Sequence, residues 1–108
     1  MAATLRNIAI LSLVLMATPC LADGTGNAAH GKVLVEANCA QCHGIGATDK
    51  SPHAQAPELR TLSERYPLDA LEEAFVEGIY SGHPDMPEFV ATPAQIADII
   101  AYIATIEP

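Results

Sequence analysis

The chain has 108 residues, enough for one small domain, and half of them are hydrophobic. It carries 13 Asp and Glu against 5 Lys and Arg, which gives a formal net charge of −8. A charge of this sign opposes binding to nucleic acid or to anionic lipid, so we expect neither of these partners.

Residues 1–22 have the three-part layout of a secretory signal peptide. Arg6 provides the positive charge, the run from Ile8 to Met16 is apolar, and a short segment ends on the small residue Ala22. The apolar run is about half of the roughly 20 residues that a membrane span requires, so we predict no stable membrane insertion. Cleavage after Ala22 leaves residues 23–108 as one domain exported to the periplasm.

Cys20 offers an alternative interpretation of the same segment. A lipoprotein signal also ends on a cysteine, which then receives the lipid. In such signals a leucine is usual where Ala17 stands and a small residue is usual where Pro19 stands. The match is therefore weak, and we expect removal of the segment without lipidation.

The first helix of the domain is predicted from about Ala28 to Asn38. Strand-like alternation is absent from the sequence, and helical spacing of apolar residues dominates it. Gly31 and Val35 lie four positions apart and therefore share one face of this helix. Gly31 either weakens the helix by about 1 kcal/mol relative to alanine or has a packing role.

The helix leads into Cys39-Ala40-Gln41-Cys42-His43, a run that is typical of covalent c-type haem attachment. Two thiols at this spacing can form thioethers with the two vinyl groups of one haem, and the histidine that follows becomes the proximal ligand of the iron. Three alternatives share the pattern. The pair could be a thioredoxin-like redox motif, a structural disulfide, or half of a zinc site completed by two of His43, His53 and His83.

The stretch from Gly31 to Gly44 resembles the haem end of a small class I c-type cytochrome. In that family a helix carrying a glycine leads into the haem motif, and a glycine follows the histidine. The resemblance implies an all-α fold of about four helices wrapped around one covalent haem c, attached through Cys39 and Cys42 and ligated by His43. It also implies that the last helix crosses the first one closely at its glycine.

Residues 44–57 are predicted as a loop, because glycines and prolines punctuate them. The run Ala56-Pro57-Glu58-Leu59 stands where members of the family often have Gly-Pro-x-Leu. The resemblance implies that the Pro57 carbonyl accepts a hydrogen bond from the ring of His43. Such a bond sets the tautomer of the imidazole and raises its basicity.

Two helices are predicted after this loop. A short one covers Leu59 to Arg65, with Arg60 and Glu64 spaced for a surface ion pair. Pro67 suits the first turn of the next helix, which we expect to end near Gly82. Its apolar positions recur at helical spacing and are expected to face the core: Leu68, Leu71, Phe75 and Ile79.

The run from Gly82 to Phe89 resembles the loop in which the family carries its sixth iron ligand, a methionine followed by a proline. Met86 is the only methionine left after removal of the signal peptide, so we predict it as that ligand. His83 and His53 remain alternatives, because an imidazole can also ligate haem iron. The chain has no tryptophan to contact a haem propionate. The candidates for that contact are Arg60, Arg65, Tyr66 and Tyr80.

The last helix is predicted to begin at Pro93, with Thr92 as its N-cap and Gln95 as the capping-box partner. Its apolar stripe consists of Ile96, Ile99, Ile100, Ile103 and Ile106. The resemblance places Tyr102 near an aromatic position of the family. It also implies that this helix packs across the first one.

These patterns predict a periplasmic monohaem carrier of single electrons, not an enzyme, because no acid–base constellation accompanies the haem motif. The expected partners of this monomer are redox proteins such as a periplasmic dehydrogenase, an oxidase or a respiratory complex. Loss of Arg6 with the signal peptide changes the formal charge from −8 to −9, which favours a basic or neutral docking face on the partner. The alternatives are a dedicated haem subunit of a dehydrogenase, a haem enzyme or gas-binding protein with an open iron site, and a thiol or zinc protein.

Overall fold

The computed structural model describes residues 26–77 and 85–108, and within these ranges every regular element is a helix. The elements are α1 (Ala28–Asn38), a 3-10 helix (Leu59–Glu64), α2 (Leu68–Glu77) and α3 (Pro93–Ile106). The all-α prediction is therefore confirmed, the predicted first helix has the observed bounds, and the last helix begins at the predicted residue. No helix in the described ranges is long and apolar enough to cross a membrane. Several predicted features lie outside the described residues, namely the signal peptide with Cys20, Ile79, Tyr80, Gly82 and His83.

α1 begins at Ala28 because Asn27 caps it. The side-chain oxygen of Asn27 accepts a hydrogen bond of 3.0 Å from the backbone N–H of His30. This bond satisfies one of the N–H groups that the first helical turn leaves without a partner. At the other end, the N–H of Cys39 donates to the carbonyl of Val35 at 2.8 Å. The last turn of α1 thus carries the first cysteine of the haem motif.

The helices α1 and α3 cross at Gly31. A Cβ atom on this buried glycine would overlap the backbone carbonyl of Asp98 in α3. A larger residue would therefore force the two helices apart, and the packing role of Gly31 is confirmed. Close backbone approach offsets the weak helix propensity of glycine.

Asp98 links the two helices at the same crossing. One carboxylate oxygen accepts a hydrogen bond of 2.6 Å from the N–H of Asn27, and the other accepts one of 2.5 Å from the Nδ1–H of His30. The bond from His30, followed by that from Asn27, lowers the pKa of the Asp98 carboxyl below its ordinary value. A side chain of α3 therefore holds the first turn of α1.

The start of α3 has the predicted capping box. The N–H of Gln95 donates to the Thr92 hydroxyl oxygen at 3.2 Å, and the N–H of Thr92 donates to the side-chain oxygen of Gln95 at 3.0 Å. Pro93 occupies the first turn, where its missing N–H costs no helical hydrogen bond.

One hydrophobic cluster joins the helices. Its buried members are Val35, Leu59, Leu71, Ile99, Tyr102 and Ile103. Half-buried members of the predicted stripes pack against it: Leu68, Phe75, Ile100 and Ile106. Cys39 also packs against this cluster, so the haem motif begins at the edge of the core. A small domain buries little apolar surface on folding. An apolar cofactor packed against this core would therefore add to the stability of the fold.

The segment after Pro57 is a 3-10 helix, and this corrects the predicted pair between Arg60 and Glu64. A 3-10 helix has three residues per turn, so positions four apart do not share a face. Arg60 instead donates a hydrogen bond of 2.6 Å to the carbonyl of Asp49. The arginine therefore ties the 3-10 helix to the preceding loop.

Candidate functional site

The haem motif forms a tight turn at the end of α1. The N–H of Cys42 donates to the carbonyl of Cys39 at 3.2 Å, and the N–H of His43 donates to the same carbonyl at 2.9 Å. Both cysteines are half-buried free thiols, with no disulfide between them. The local backbone therefore keeps both sulfurs and the imidazole on one short turn.

The environment of Cys39 disfavours a thiol-redox role for the pair. Burial raises the pKa of the Cys39 thiol from 9.0 to about 11. A reactive cysteine of the thioredoxin type has a lowered pKa, because the thiolate is the nucleophile. Cys39 instead stays protonated at neutral pH.

The ring of His43 is held by Pro57. Its Nδ1–H donates a hydrogen bond of 2.7 Å to the Pro57 carbonyl. A carbonyl can only accept, so the proton of the neutral imidazole is on Nδ1 and the lone pair is on Nε2. This is the bond that the resemblance implies, and it leaves Nε2 as the nitrogen able to bind a metal.

Two backbone hydrogen bonds bring the Pro57 carbonyl within hydrogen-bonding distance of the His43 ring. The N–H of Leu59 donates to the carbonyl of Gly44 at 2.9 Å, and the N–H of His53 donates to the carbonyl of Cys42 at 3.2 Å. The loop therefore returns to the haem motif at both points. The alanine that replaces the family's usual glycine before Pro57 does not disturb the contact with His43.

Asp49 organises the inside of this loop, a role that the sequence analysis missed. Its carboxylate accepts hydrogen bonds from the N–H of Ile45 at 2.9 Å and from the N–H of Gly46 at 2.6 Å. The bond from Ile45 is the main cause that lowers the pKa of the Asp49 carboxyl, and the nearby Arg60 contributes. An aspartate that follows glycines in a loop is a common acceptor for backbone N–H groups, so the signal was present in the sequence.

Tyr102 connects the loop to α3. Its hydroxyl donates a hydrogen bond of 2.6 Å to the carbonyl of Ile45. Burial, with smaller contributions from Glu36 and Asp49, raises the pKa of the Tyr102 phenol, so the hydroxyl remains a donor at neutral pH. The family resemblance indicated an aromatic position for this residue but not the identity of its acceptor.

Met86 lies on a second segment, at the start of the described residues 85–92 between α2 and α3. Its side chain is half-buried. Two contacts anchor this segment. The ring of Phe89 packs edge-to-face against Phe75 of α2 with centroids 6.1 Å apart, and Asp85 lies 3.3 Å from Nε2 of His53. One hydrogen-bonded unit contains four of the predicted site residues: Cys39, Cys42, His43 and Pro57. Met86 lies on a separate loop, which contacts this unit through His53.

The contacts of His53 disfavour this histidine as an iron ligand. Its Nδ1 accepts a hydrogen bond of 3.2 Å from the N–H of Gln55, and its Nε2 contacts Asp85. Both ring nitrogens are thus engaged with the protein. Within residues 26–77 and 85–108, no group of three or more His, Cys, Asp or Glu side chains is placed to hold a metal ion.

The candidates for a propionate contact differ in their availability. Arg60 is engaged with the carbonyl of Asp49, whereas Arg65 and Tyr66 are exposed. Tyr80 lies outside the described residues. Arg65 and Tyr66 are the more accessible of these candidates, and the guanidinium of Arg60 keeps further N–H groups that can donate.

Comparison with known proteins defines the class of this chain. The sequence model of the cytochrome c family matches residues 28–107, which cover all four described helices. The chain therefore belongs to the cytochrome c family. Members of this family are electron-transfer proteins rather than enzymes, and membership implies a covalently bound haem c.

Two relatives illustrate the similarity. A cytochrome c-553-like protein of Synechocystis sp. is 33% identical over 82 residues, which are 75% of this chain and 70% of the relative. Cytochrome c-552 of Bradyrhizobium diazoefficiens is 29% identical over 82 residues, which are 76% of this chain and 77% of the relative. The similarity thus extends over most of the described domain, not over the haem motif alone.

Proposed function

We propose that this chain is a periplasmic carrier of single electrons with one haem c, attached through Cys39 and Cys42 and ligated by His43 and Met86. The observation that carries the proposal is the 2.7 Å hydrogen bond from Nδ1 of His43 to the Pro57 carbonyl. It leaves the Nε2 lone pair of an imidazole available on the same short turn as two free thiols. This donor set fits a c-type haem.

Each residue of the site has a definite role. The thiols of Cys39 and Cys42 would hold the haem as thioethers, one to each of its two vinyl groups. The Pro57 carbonyl accepts from Nδ1–H of His43, so that in the neutral ring the lone pair is on Nε2, and the bond fixes the orientation of the ring. The thioether of Met86 favours ferrous iron more than an imidazole does, which raises the reduction potential. The bound haem supplies the one-electron chemistry of its iron.

The charge of the domain indicates the nature of the partner. After loss of Arg6 the formal charge is −9, and the acidic residues of α2 contribute to it. Association with a basic or neutral face is therefore favoured over association with an acidic one. A dedicated haem subunit of a periplasmic dehydrogenase is the second candidate, and it uses the same site.

Haem staining after denaturing electrophoresis tests the proposal. The full chain is expressed in cells that attach haem after export, and the periplasm is separated from the cytoplasm. We expect a stained periplasmic band, and no band from a chain that lacks residues 1–22. Cys39→Ala and Cys42→Ala are expected to give little or no stained protein.

Cys20→Ala is the matched control for these cysteine variants. It removes a cysteine from the predicted signal peptide, so it should leave the amount and the mobility of the stained band unchanged. Normally folded, haem-free protein from Cys39→Ala or Cys42→Ala would contradict the proposal. So would an unstained band from the unaltered chain.

A further inference from the structure

The loop of the haem motif and the loop that carries Met86 meet through their side chains. Nε2 of His53 lies 3.3 Å from a carboxylate oxygen of Asp85, and Asp85 is the residue directly before Met86. The contact is partly exposed, since the side chain of His53 is 34% accessible and that of Asp85 is 63% accessible. It joins the segment that holds His43 to the segment that holds the expected sixth ligand.

His53 is oriented by the haem motif itself. Its backbone N–H donates to the carbonyl of Cys42 at 3.2 Å, and its carbonyl accepts a hydrogen bond of 3.1 Å from the N–H of Ala56. Its Nδ1 accepts from the N–H of Gln55, so in the neutral ring the proton is on Nε2, the nitrogen that lies 3.3 Å from Asp85. The ring is therefore aimed at Asp85 by three bonds to its own loop.

We propose that His53 and Asp85 form a clasp that positions Met86, and that His53 acts as a positioning residue rather than as an iron ligand. The inference rests on the proposed function, in which the Met86 thioether is the sixth ligand. A contact directly beside the ligand restricts the loop before the thioether binds, and this reduces the conformational entropy lost on binding. Without the clasp, Met86 is released from the iron more often, and an added ligand competes for the vacated position.

Imidazole is a suitable probe, because it binds ferric haem only where the sixth position opens. The assay uses the holoprotein and records the ferric absorption spectrum during titration with imidazole. Exposed charged contacts are weak, so Asp85→Ala is expected to raise the affinity for imidazole by a factor of roughly two to five. Asp85→Asn keeps an oxygen that can accept from Nε2–H, and it should retain most of the unaltered behaviour.

Glu88→Ala is the control for a general effect of charge. It removes one exposed carboxylate from the same segment and should leave the affinity for imidazole unchanged.

His53→Ala tests whether the two residues act through one contact. It should raise the affinity for imidazole as much as Asp85→Ala does. The double variant should then show no further increase, because each substitution removes the same contact.

The outcomes distinguish the clasp from the ligation on which it rests. If Met86→Ala raises the affinity for imidazole but Asp85→Ala does not, the clasp is wrong and the ligation stands. An equal effect of Glu88→Ala, or additive effects of His53→Ala and Asp85→Ala, also overturns the clasp. If Met86→Ala itself changes nothing, the ligation fails and the clasp fails with it. If His53→Ala opens the site as fully as Met86→Ala, His53 is a ligand.

Discussion

The hydroxyl of Tyr102, in α3, donates a hydrogen bond of 2.6 Å to the carbonyl of Ile45, just beyond His43. The last helix is thereby attached to the backbone of the haem-motif loop, and not only to the hydrophobic core. The same loop is also bonded to itself, because the N–H of Leu59 donates to the carbonyl of Gly44. Hydrogen bonds therefore link α3, through this loop, to the Pro57 carbonyl and the ring of His43.

Tyr102→Phe should destabilise the holoprotein by about 1 kcal/mol. The substitution keeps the buried ring but leaves the Ile45 carbonyl without its side-chain partner. Chemical denaturation at neutral pH measures the effect. The unaltered holoprotein is the reference. Equal stabilities of Tyr102→Phe and the unaltered protein would show that the bond to Ile45 contributes nothing.

Gly31→Ala should destabilise the protein by roughly 1–3 kcal/mol, the usual cost of overpacking. The added Cβ overlaps the Asp98 carbonyl, so α1 and α3 must separate. Helix propensity alone predicts the opposite sign, a gain of about 1 kcal/mol. Ala37→Gly, at an exposed position of the same helix, should lose about that amount. A more stable Gly31→Ala protein would contradict the close crossing.

Asp98 should make the stability depend on pH in the acid range. Its pKa is lowered in the folded protein by His30 and by Asn27, from an ordinary value of 3.8. A carboxyl with a lowered folded-state pKa contributes stability above its unfolded pKa, and this contribution is lost as the pH falls through the folded value. The loss therefore begins near pH 3.8 and is complete below the folded pKa.

Asp98→Asn should remove this part of the pH dependence and leave a protein less stable at neutral pH. Denaturation at several pH values between about 2 and 6 measures the difference from the unaltered protein. Glu73→Gln removes an exposed carboxylate from α2 and is the charge-matched control. Parallel pH profiles for the unaltered protein and Asp98→Asn would contradict the role of this carboxylate.

Met86 should set both the reduction potential and the accessibility of the iron. Met86→His is expected to lower the potential while the haem stays six-coordinate, because imidazole favours ferrous iron less than a thioether does. Met86→Ala should open the site to carbon monoxide or cyanide. Potentiometric titration and absorption spectra measure these changes. The assignment fails if Met86→Ala leaves the ferric spectrum and the potential unchanged while His83→Ala alters both.

Electron transfer with a basic partner should slow as the ionic strength rises. The formal charge of −9 in residues 23–108 attracts such a partner, and salt screens the attraction. Stopped-flow rates across a series of salt concentrations measure the dependence. A rate that increases with salt would point to an acidic partner and contradict the prediction. A flat dependence is the expected result for a neutral docking face.

Local signals predicted much of the fold. The capping box at Thr92 and Gln95 placed the start of α3, because both of its hydrogen bonds lie within one turn. The glycine at position 31 indicated a close crossing only through the family resemblance, since nothing near it in the sequence specifies a partner. The 3-10 geometry after Pro57 was not predicted, because propensity does not distinguish one short helical form from the other.

The sequence by itself determined the chemistry of the haem motif, since the spacing of Cys39, Cys42 and His43 is a local property of the chain. It also determined the helices that have caps or apolar stripes of their own. The tertiary structure alone decided how Asp98 reaches His30, how Tyr102 reaches Ile45, and how His53 reaches Asp85. Each of these contacts joins residues far apart in the chain, and their geometry depends on how the helices pack around the shared core.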